Sequence, residues 1–228
     1  MDPPAAPSPA PPAAPPPVAG PGAFCDHPIF LESLRRIRAL LGETGLPEEE
    51  RDVLERLVHS CGDPGIAPAL QFSPGAAALG LQAVAAGTVI LTDTAMAAAA
   101  VAPMARRTFA NPVHSVLDWA PAAAPPGSTR AAAGMAGALA AHPGAVVLVG
   151  SAPTALECLL DRCARGEPPP ALVIGMPVGF VGVAESKRRL AASHLPQIRL
   201  DGSRGGAALV AAAVNALLRR AWLQGLSV

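Results

Sequence analysis

Apolar residues recur at helical spacing where the globular part of the chain begins. From about Pro28 onward they stand three or four residues apart, at Phe30, Leu34, Ile37 and Leu41. This spacing predicts an amphipathic helix, because residues three and four apart share one helix face. A second helix is predicted from near Pro47 to Gly62, since three glutamates follow the proline and a glycine ends the apolar pattern.

Short apolar runs alternate with helical patterns through the rest of the chain. Strands are predicted at residues 88–92, 114–117, 145–149, 171–174 and 197–200. Helices are predicted at residues 73–87, 128–142, 153–166, 184–192 and 206–220. Continuous apolar strands that alternate with helices are typical of a parallel sheet buried on both faces. The predicted fold class is therefore α/β, a three-layer sandwich with a mainly parallel central sheet and helices on both faces.

Ligand-binding residues are expected where the predicted strands end. Right-handed crossovers place the carboxyl ends of parallel strands at one edge of the sheet, and open α/β sheets bind ligands outside that edge. Thr92 and Asp93 follow one strand, and segments 150–152, 175–182 and 201–206 follow three others. Most of these segments are rich in glycine or other small residues, which let the backbone approach a ligand closely. Thr92 and Asp93 are therefore candidate substrate-binding residues.

Composition separates an N-terminal tail from the rest of the chain. Residues 1–22 are almost entirely proline and alanine, which predicts an extended, disordered tail with too few apolar side chains to pack. Residues 23–228 are then expected to form a single domain. The formal net charge is zero and aromatic residues make up 3%, so binding of nucleic acid or of an anionic membrane surface is not expected.

The motifs indicate neither a metal site nor a nucleotide site. The four cysteines form no CxxC pair and no zinc-ligand spacing, so free thiols in a reducing compartment are expected. Neither GxGxxG nor GxxxxGK[ST] is present, although the glycine-rich loops can present backbone N–H groups to anions. The chain has no signal-peptide pattern and no long uninterrupted apolar run, which predicts a cytoplasmic protein without a membrane span.

One of the five histidines, His59, is a candidate general acid. It lies in the last turn of the second predicted helix, where the helix dipole favours a protonated imidazole. Arg56 lies three residues earlier on the same helix face, which makes it a candidate for holding the substrate. A histidine that only caps the helix is the alternative. Cys61 points to another side of the helix, so a Cys–His pair is not expected.

Three further cations are expected near the binding edge, where they could hold carboxylates. Arg130 stands in a first helical turn, where a cation opposes the helix dipole; a bound anion would explain it, and a solvated arginine is the alternative. Arg204 lies in a glycine-flanked loop, and its forked guanidinium suits a carboxylate. Lys187 is the only lysine in the chain, so either a compact ammonium is required there or its presence is chance.

Six short segments carry a resemblance to a known family. The most specific are LVHSCG at residues 57–62, GSAPTAL at 150–156 and IGMPVGFVGVAESK at 174–187. The shorter ones are FSP at 72–74, STR at 128–130 and GSRGGA at 202–207. Together they resemble the precorrin-8X methylmutases of cobalamin biosynthesis. The resemblance extends from about Pro28 to Ala221, nearly the whole chain outside the predicted tail.

The resemblance implies an isomerase that moves a methyl group from C-11 to C-12 of a corrin-ring tetrapyrrole. The substrate would be precorrin-8X or its cobalt form, between which the motifs do not distinguish, and the product hydrogenobyrinate or cobyrinate. It also implies a homodimer that needs no redox or nucleotide cofactor. The family histidine that is thought to protonate the ring falls on His59. The family's substrate-contacting serine falls on Ser33, and the arginine of its TR motif on Arg130.

One stretch departs from the family pattern and leaves a second function open. Residues 96–117 match poorly, and alanine or valine stands at positions 99–101, where the family usually has glycine. Leu34 replaces the aromatic residue usual after the serine. The alternative is a non-catalytic corrinoid- or tetrapyrrole-binding protein on the same fold. A nucleotide-binding oxidoreductase is a third possibility, which the absent nucleotide motifs disfavour.

Overall fold

The computed structural model describes residues 26–225, so the predicted tail at residues 1–22 lies outside the described residues. The helices in the described part are α1 (Pro28–Leu41), α2 (Glu48–Cys61), α3 (Ala76–Ala85), α4 (Ala95–Arg107), α5 (Arg130–Ala141), α6 (Pro153–Ala164), α7 (Val183–Ala192) and α8 (Ala207–Leu223). The strands are β1 (Leu70–Phe72), β2 (Ile90–Thr92), β3 (Val113–Ser115), β4 (Val146–Val149), β5 (Leu172–Gly175) and β6 (Gln197–Leu200).

The six strands form one sheet in the order β1-β6-β5-β4-β2-β3. Only β1 runs antiparallel, beside β6, and the other neighbours are parallel. The mainly parallel sheet predicted from the sequence is confirmed. The short β1 was not predicted, because three residues give too little alternation to recognise a strand.

Side chains along β4 divide between two cores, one on each face of the sheet. Val146 and Leu148 pack into the core formed with α2, α3, α4 and α8. Val147 and Val149 pack into the other core, formed with α5, α6 and α7. Helices cover both faces of the sheet, so the central strands β4 and β5 are apolar throughout, and the predicted three-layer arrangement is confirmed.

Two helices differ from the sequence prediction. The helix predicted at residues 73–87 begins only at Ala76, and the Ser73 hydroxyl accepts a hydrogen bond from the Gln197 N–H at 2.9 Å, which ties the chain to β6. Helix α4 was not predicted, because its alanine-rich sequence offers little contrast between apolar and polar positions. Thr94 caps α4 by accepting a hydrogen bond from the Ala97 N–H at 3.3 Å.

The loops at the carboxyl edge of the parallel strands are tied to one another by backbone hydrogen bonds. The Gly206 N–H donates to the Met176 carbonyl at 2.9 Å, and the Val178 N–H donates to the Gly150 carbonyl at 3.1 Å. Gly205 lies against the Met176 carbonyl so closely that a Cβ atom would overlap it. These contacts hold segments 150–152, 175–182 and 201–206 as one rim, which we call the loop rim.

No helix within residues 26–225 combines the length and the apolar character needed to cross a lipid bilayer.

Candidate active site

The site begins with a hydrogen bond between two helices. Ser33 Oγ of α1 lies 2.7 Å from His59 Nδ1 of α2. Gly62 ends α2 in a left-handed conformation, with φ of 69°, and this places His59 in the last helical turn, as predicted. Because Nδ1 is engaged by the serine, Nε2 is the ring nitrogen left to meet a ligand.

The electrostatics of His59 differ from the prediction made from its helix position. Partial burial, followed by the charge of the Arg56 guanidinium, lowers the pKa of His59 from its ordinary value of 6.5. Both effects oppose the helix dipole, which favours the protonated ring. Burial and Arg56 therefore favour the neutral ring in the unliganded protein, whereas the helix dipole, on which the prediction relied, favours the protonated ring.

Phe30 connects His59 to a group of charged residues. Its ring meets the His59 ring edge-on, with centroids 5.2 Å apart at 90°. The guanidinium carbons of Arg56 and Arg219 lie 4.8 Å and 5.4 Å from the Phe30 centroid, within cation–π range. Arg219 also donates two-pronged hydrogen bonds to Asp26. The phenyl ring therefore links the histidine to two cations.

Sequence analysis missed the role of Phe30 at the site and placed it only on the apolar face of the first helix. Leu34 and Ile37 of that face are buried, whereas Phe30 is only half-buried. Its spacing of three residues from Ser33 was the available signal, because residues three apart share a helix face. Ser33 also lines an open cleft of about 560 Å³ along α1. The cleft gives a ligand access to the serine.

The Asp93 carboxylate binds the loop rim through its backbone N–H groups. Its Oδ2 accepts hydrogen bonds from the backbone N–H groups of Gly150, Ser151 and Ala152 at 3.1, 2.6 and 2.7 Å. These are the donors in front of α6, whose own capping residue makes no side-chain hydrogen bond. The N–H groups of segment 150–152 are therefore occupied by an internal carboxylate.

Burial dominates the energetics of Asp93, which is 1% exposed. Burial raises the pKa of this carboxyl, and the three N–H donors partly offset the effect. The neighbouring Thr92 is also buried and donates its hydroxyl proton to the Thr94 carbonyl at 2.8 Å. Both side chains are thus engaged within the protein, and a direct substrate role for either stays a prediction.

Lys187 stabilises the loop rim through two hydrogen bonds. Its ammonium donates to the carbonyls of Gly202 and Arg204, both at 2.7 Å, and the residue is 2% exposed. Burial lowers its pKa from 10.5 to about 8. This geometry provides a reason for a compact ammonium at the single lysine position, since a planar guanidinium would not fit between the two carbonyls. We interpret Lys187 as a loop-holding residue.

Lys187→Met is expected to lower the free energy of unfolding by about 2 kcal/mol, because two loop carbonyls lose their charged donor. Lys187→Arg is expected to weaken the loop more than an ordinary surface exchange does. Since the folded pKa lies below the ordinary value, the unfolded chain binds more protons between pH 8 and 10.5. Between pH 8 and 10.5, the free energy of unfolding of the wild type should therefore rise relative to that of Lys187→Met. Urea unfolding at several pH values measures both effects.

The control for Lys187 is the next residue, Arg188, whose side chain is 74% exposed. Arg188→Met should stay within about 0.5 kcal/mol of wild type. If the Lys187 and Arg188 variants were equally stable, the presence of a lysine at position 187 would be explained by chance.

Arg204 links the loop rim to the end of α2. Its guanidinium donates to the Gly65 carbonyl at 2.8 Å and lies 3.3 Å from an Asp63 carboxylate oxygen. Residues 63–65 follow directly after the helix that carries His59. Because about half of the Arg204 side chain is exposed, the guanidinium is accessible from the binding edge.

Arg130 stands apart from the Ser33–His59 pair in the described contacts. It is the first residue of α5 and donates to the Pro121 carbonyl at 2.9 Å. Thr129 caps α5, and its hydroxyl also lies 2.8 Å from that of Thr154 at the start of α6. The predicted position in a first helical turn is confirmed, and this cation lies on the opposite layer from α1 and α2.

The remaining chemistry-bearing groups in the described region take structural positions. Cys158 and Cys163 of α6 pack against the neighbouring core, and burial raises the pKa of both thiols. The Cys61 thiol points to the Val58 and Asp63 carbonyls instead of to His59. Across residues 26–225, no three histidine, cysteine or acidic side chains are grouped as metal ligands.

Comparison with known proteins agrees with the resemblance seen in the sequence. The family model described as precorrin-8X methylmutase matches residues 28–220. A precorrin-8X methylmutase of Pseudomonas aeruginosa is 44% identical over 194 residues, covering 83% of this chain and 93% of its own. A cobalt-precorrin-8 methylmutase of Synechocystis sp. is 38% identical over 214 residues, covering 88% of this chain and 98% of its own.

A solved structure extends the similarity to three dimensions. The crystal structure of precorrin-8X methylmutase from Thermus thermophilus superposes with a TM-score of 0.78 at 38% identity. The match covers 86% of this chain and 97% of that one. The structural similarity therefore extends over most of the chain.

Proposed function

This chain belongs to the precorrin-8X methylmutase family, and from that premise we propose that His59 is the acid of its methyl migration. The enzyme is an isomerase of cobalamin biosynthesis that acts on a corrin-ring precursor. The observation that carries the residue assignment is the 2.7 Å contact between Ser33 Oγ and His59 Nδ1, which fixes the ring and leaves Nε2 for the substrate.

The proposed reaction needs one proton, which His59 donates to the substrate and later recovers. His59 Nε2 donates a proton to the conjugated macrocycle and makes the ring system electron-poor. The bond from C-11 to the methyl group breaks while the bond from C-12 to the methyl group forms, and the ring electrons shift to compensate. The ring then returns its proton to His59. Substrate and product are isomers, so no other reactant is consumed.

The predicted substrate-holding residues divide into two groups. Ser33, Arg56 and Arg204 lie on or directly after the two helices of the site and are proposed to contact the substrate. Arg130 is proposed to hold a carboxylate at the start of α5. Asp93, Thr92 and Lys187 are proposed to act indirectly, because their polar groups hold the loop rim and the end of β2. No nucleotide or redox cofactor enters this reaction.

Mixing the purified protein with precorrin-8X, and separately with its cobalt form, tests the proposal. Conversion of the metal-free substrate from orange to red supports the mutase, and the relative rates on the two substrates show which route the enzyme serves. Tight binding with an unchanged spectrum would instead support the non-catalytic corrinoid-binding alternative, which the methylmutase names of the relatives do not favour.

We also propose that the enzyme is a cytoplasmic homodimer and that α4 lies at the contact between subunits. The outward face of this helix is exposed and apolar, and consists of Ala95, Met96, Ala99, Ala100 and Pro103. Met96 alone is 69% exposed. Small side chains let two copies of a helix approach closely, and such a contiguous apolar face is typical of an interface.

Ala99→Glu is expected to convert the dimer to a monomer in size-exclusion chromatography with light scattering, because it places a charge in the middle of this face. Ala191→Glu, an exposed alanine on α7, is the matched control and should leave the mass unchanged. A wild-type protein that runs as a monomer would exclude the homodimer. A dimeric Ala99→Glu variant would exclude α4 from the interface.

A further inference from the structure

Arg56 differs from the other arginines around the Ser33–His59 pair because, within residues 26–225, its guanidinium forms no hydrogen bond or ion pair with a carboxylate, although the charge of Asp26 attracts it. The carboxylates nearby are each engaged by another arginine, in the pairs Asp26–Arg219, Glu55–Arg38 and Asp52–Arg220. The contact that the structure gives Arg56 is the cation–π contact with Phe30. Its hydrogen-bond donors are therefore left for a ligand.

A half-buried guanidinium without a carboxylate is an unfavourable arrangement. Burial, followed by the repulsion of Arg219, lowers the pKa of Arg56, and the smaller attraction of Asp26 does not offset them, so the charged form is poorly stabilised. An incoming carboxylate would remove this penalty and accept a two-pronged hydrogen bond from the planar fork. The corrin precursor is ringed by carboxylate side arms, so its own chemistry supplies such a group.

Arg56 is also positioned to influence His59. The two residues are three apart on α2, which places their side chains on one face about 5–6 Å apart at Cβ. Phe30 contacts both of them, with the guanidinium over its face and the imidazole at its edge. A change of charge at Arg56 is therefore felt at the imidazole.

We propose that Arg56 receives a carboxylate side arm of the corrin substrate, and that this contact protonates His59, so that the acid is armed only when substrate is bound. This inference rests on the proposed function. Before binding, the uncompensated guanidinium favours the neutral imidazole. After binding, the side arm cancels that charge, and His59 takes one proton from solvent at Nε2. Nδ1–H then donates to Ser33 Oγ, and Nε2–H faces the ring.

The other charged groups near His59 do not provide such a switch. Glu32, beside Ser33 on α1, is held by Arg35 and Arg36, and these hydrogen bonds lower its pKa to about 2. Asp26 and Arg219 form a pair whose charges largely cancel. Asp63, beyond the end of α2, lies against Arg204. Arg56 is thus the group around His59 whose charge a substrate can neutralise.

The test follows the His59 imidazole by NMR in histidine-labelled full-length protein, with and without cobyrinate as the probe. The His59→Gln spectrum identifies its signals. In wild type, the midpoint of the His59 titration should lie below 6.5 and rise when cobyrinate binds. In Arg56→Gln, the midpoint without ligand should already be higher than in wild type, cobyrinate should change it little, and the Kd should rise roughly ten- to a hundred-fold.

Arg35→Gln is the matched control, because it removes one exposed arginine whose guanidinium is held by Glu32. It should reproduce the wild-type rise. An unmoved His59 titration in wild type saturated with cobyrinate would overturn the inference, as would an equal rise in Arg56→Gln. Either NMR result would overturn only the inference, because turnover of precorrin-8X would still be observed. Absence of turnover with both precorrin-8X and its cobalt form would instead overturn the proposed function on which the inference rests.

Discussion

His59→Ala is expected to reduce kcat by about 10²- to 10⁴-fold, the range in which a positioned general acid contributes, while product binding and folding persist. The side chain lies at an exposed helix end outside both cores, so its removal leaves little cavity. Ser33→Ala retains the imidazole but removes the hydrogen bond at Nδ1, and should cause a smaller loss. Steady-state turnover of precorrin-8X, with the Kd for product measured in parallel, separates the chemical step from binding.

His194→Ala provides the control for the loss of a histidine. His194 is exposed beyond the end of α7, just before β6 begins, and therefore lies at the opposite edge of the sheet. Its removal should leave kcat unchanged. Normal turnover in His59→Ala would remove the acid role, and a parallel loss of product binding would instead assign His59 to substrate holding.

Asp93→Ala is expected to lower the free energy of unfolding by about 3 kcal/mol or more. One carboxylate oxygen satisfies three backbone donors in front of α6, and the variant leaves all three without a partner. Burying the carboxylate itself costs free energy, and the variant no longer bears that cost. The expected loss of stability is therefore smaller than the sum of three charged hydrogen bonds. Urea unfolding measures the change.

Asp93→Asn distinguishes hydrogen bonding from charge. Its amide oxygen can accept from the same three N–H groups, so about half of the stability should return. Asp118→Ala replaces an exposed aspartate in the segment after β3 and should change stability by less than about 0.5 kcal/mol. If Asp93→Ala were as stable as Asp118→Ala, the loop rim would not depend on this carboxylate.

The fold was predictable because its strands and most of its helices have distinct patterns. The apolar runs at β4 and β5 lie between strongly periodic helices, and the structure confirms both. Helix α4 could not be recognised, since a run of alanines is compatible with burial and with exposure alike. Ser73 was misassigned for a related reason: its partner, Gln197, lies far along the chain and only the folded sheet brings them together.

The candidate site was predictable in its residues but less so in its electrostatics. Ser33 came from the family resemblance and His59 from its helix position together with that resemblance. Only the packing of α1 on α2 shows that the two side chains share a hydrogen bond. The sign of the effect on His59 was misjudged, because sequence position reveals the helix dipole but not burial or the nearby charge of Arg56. Asp93 and Lys187 were found at the correct edge, while their internal partners required the loops to be placed.

The close contact at Gly205 also limits how this chain can change over generations. A single base change converts any glycine codon to an alanine codon, and alanine is abundant throughout the sequence. At Gly205 the added methyl group would overlap the Met176 carbonyl, and at Gly134 it would overlap the Val116 carbonyl. Drift towards alanine is therefore blocked where these backbones touch. Selection against such drift at Gly205 preserves the loop rim.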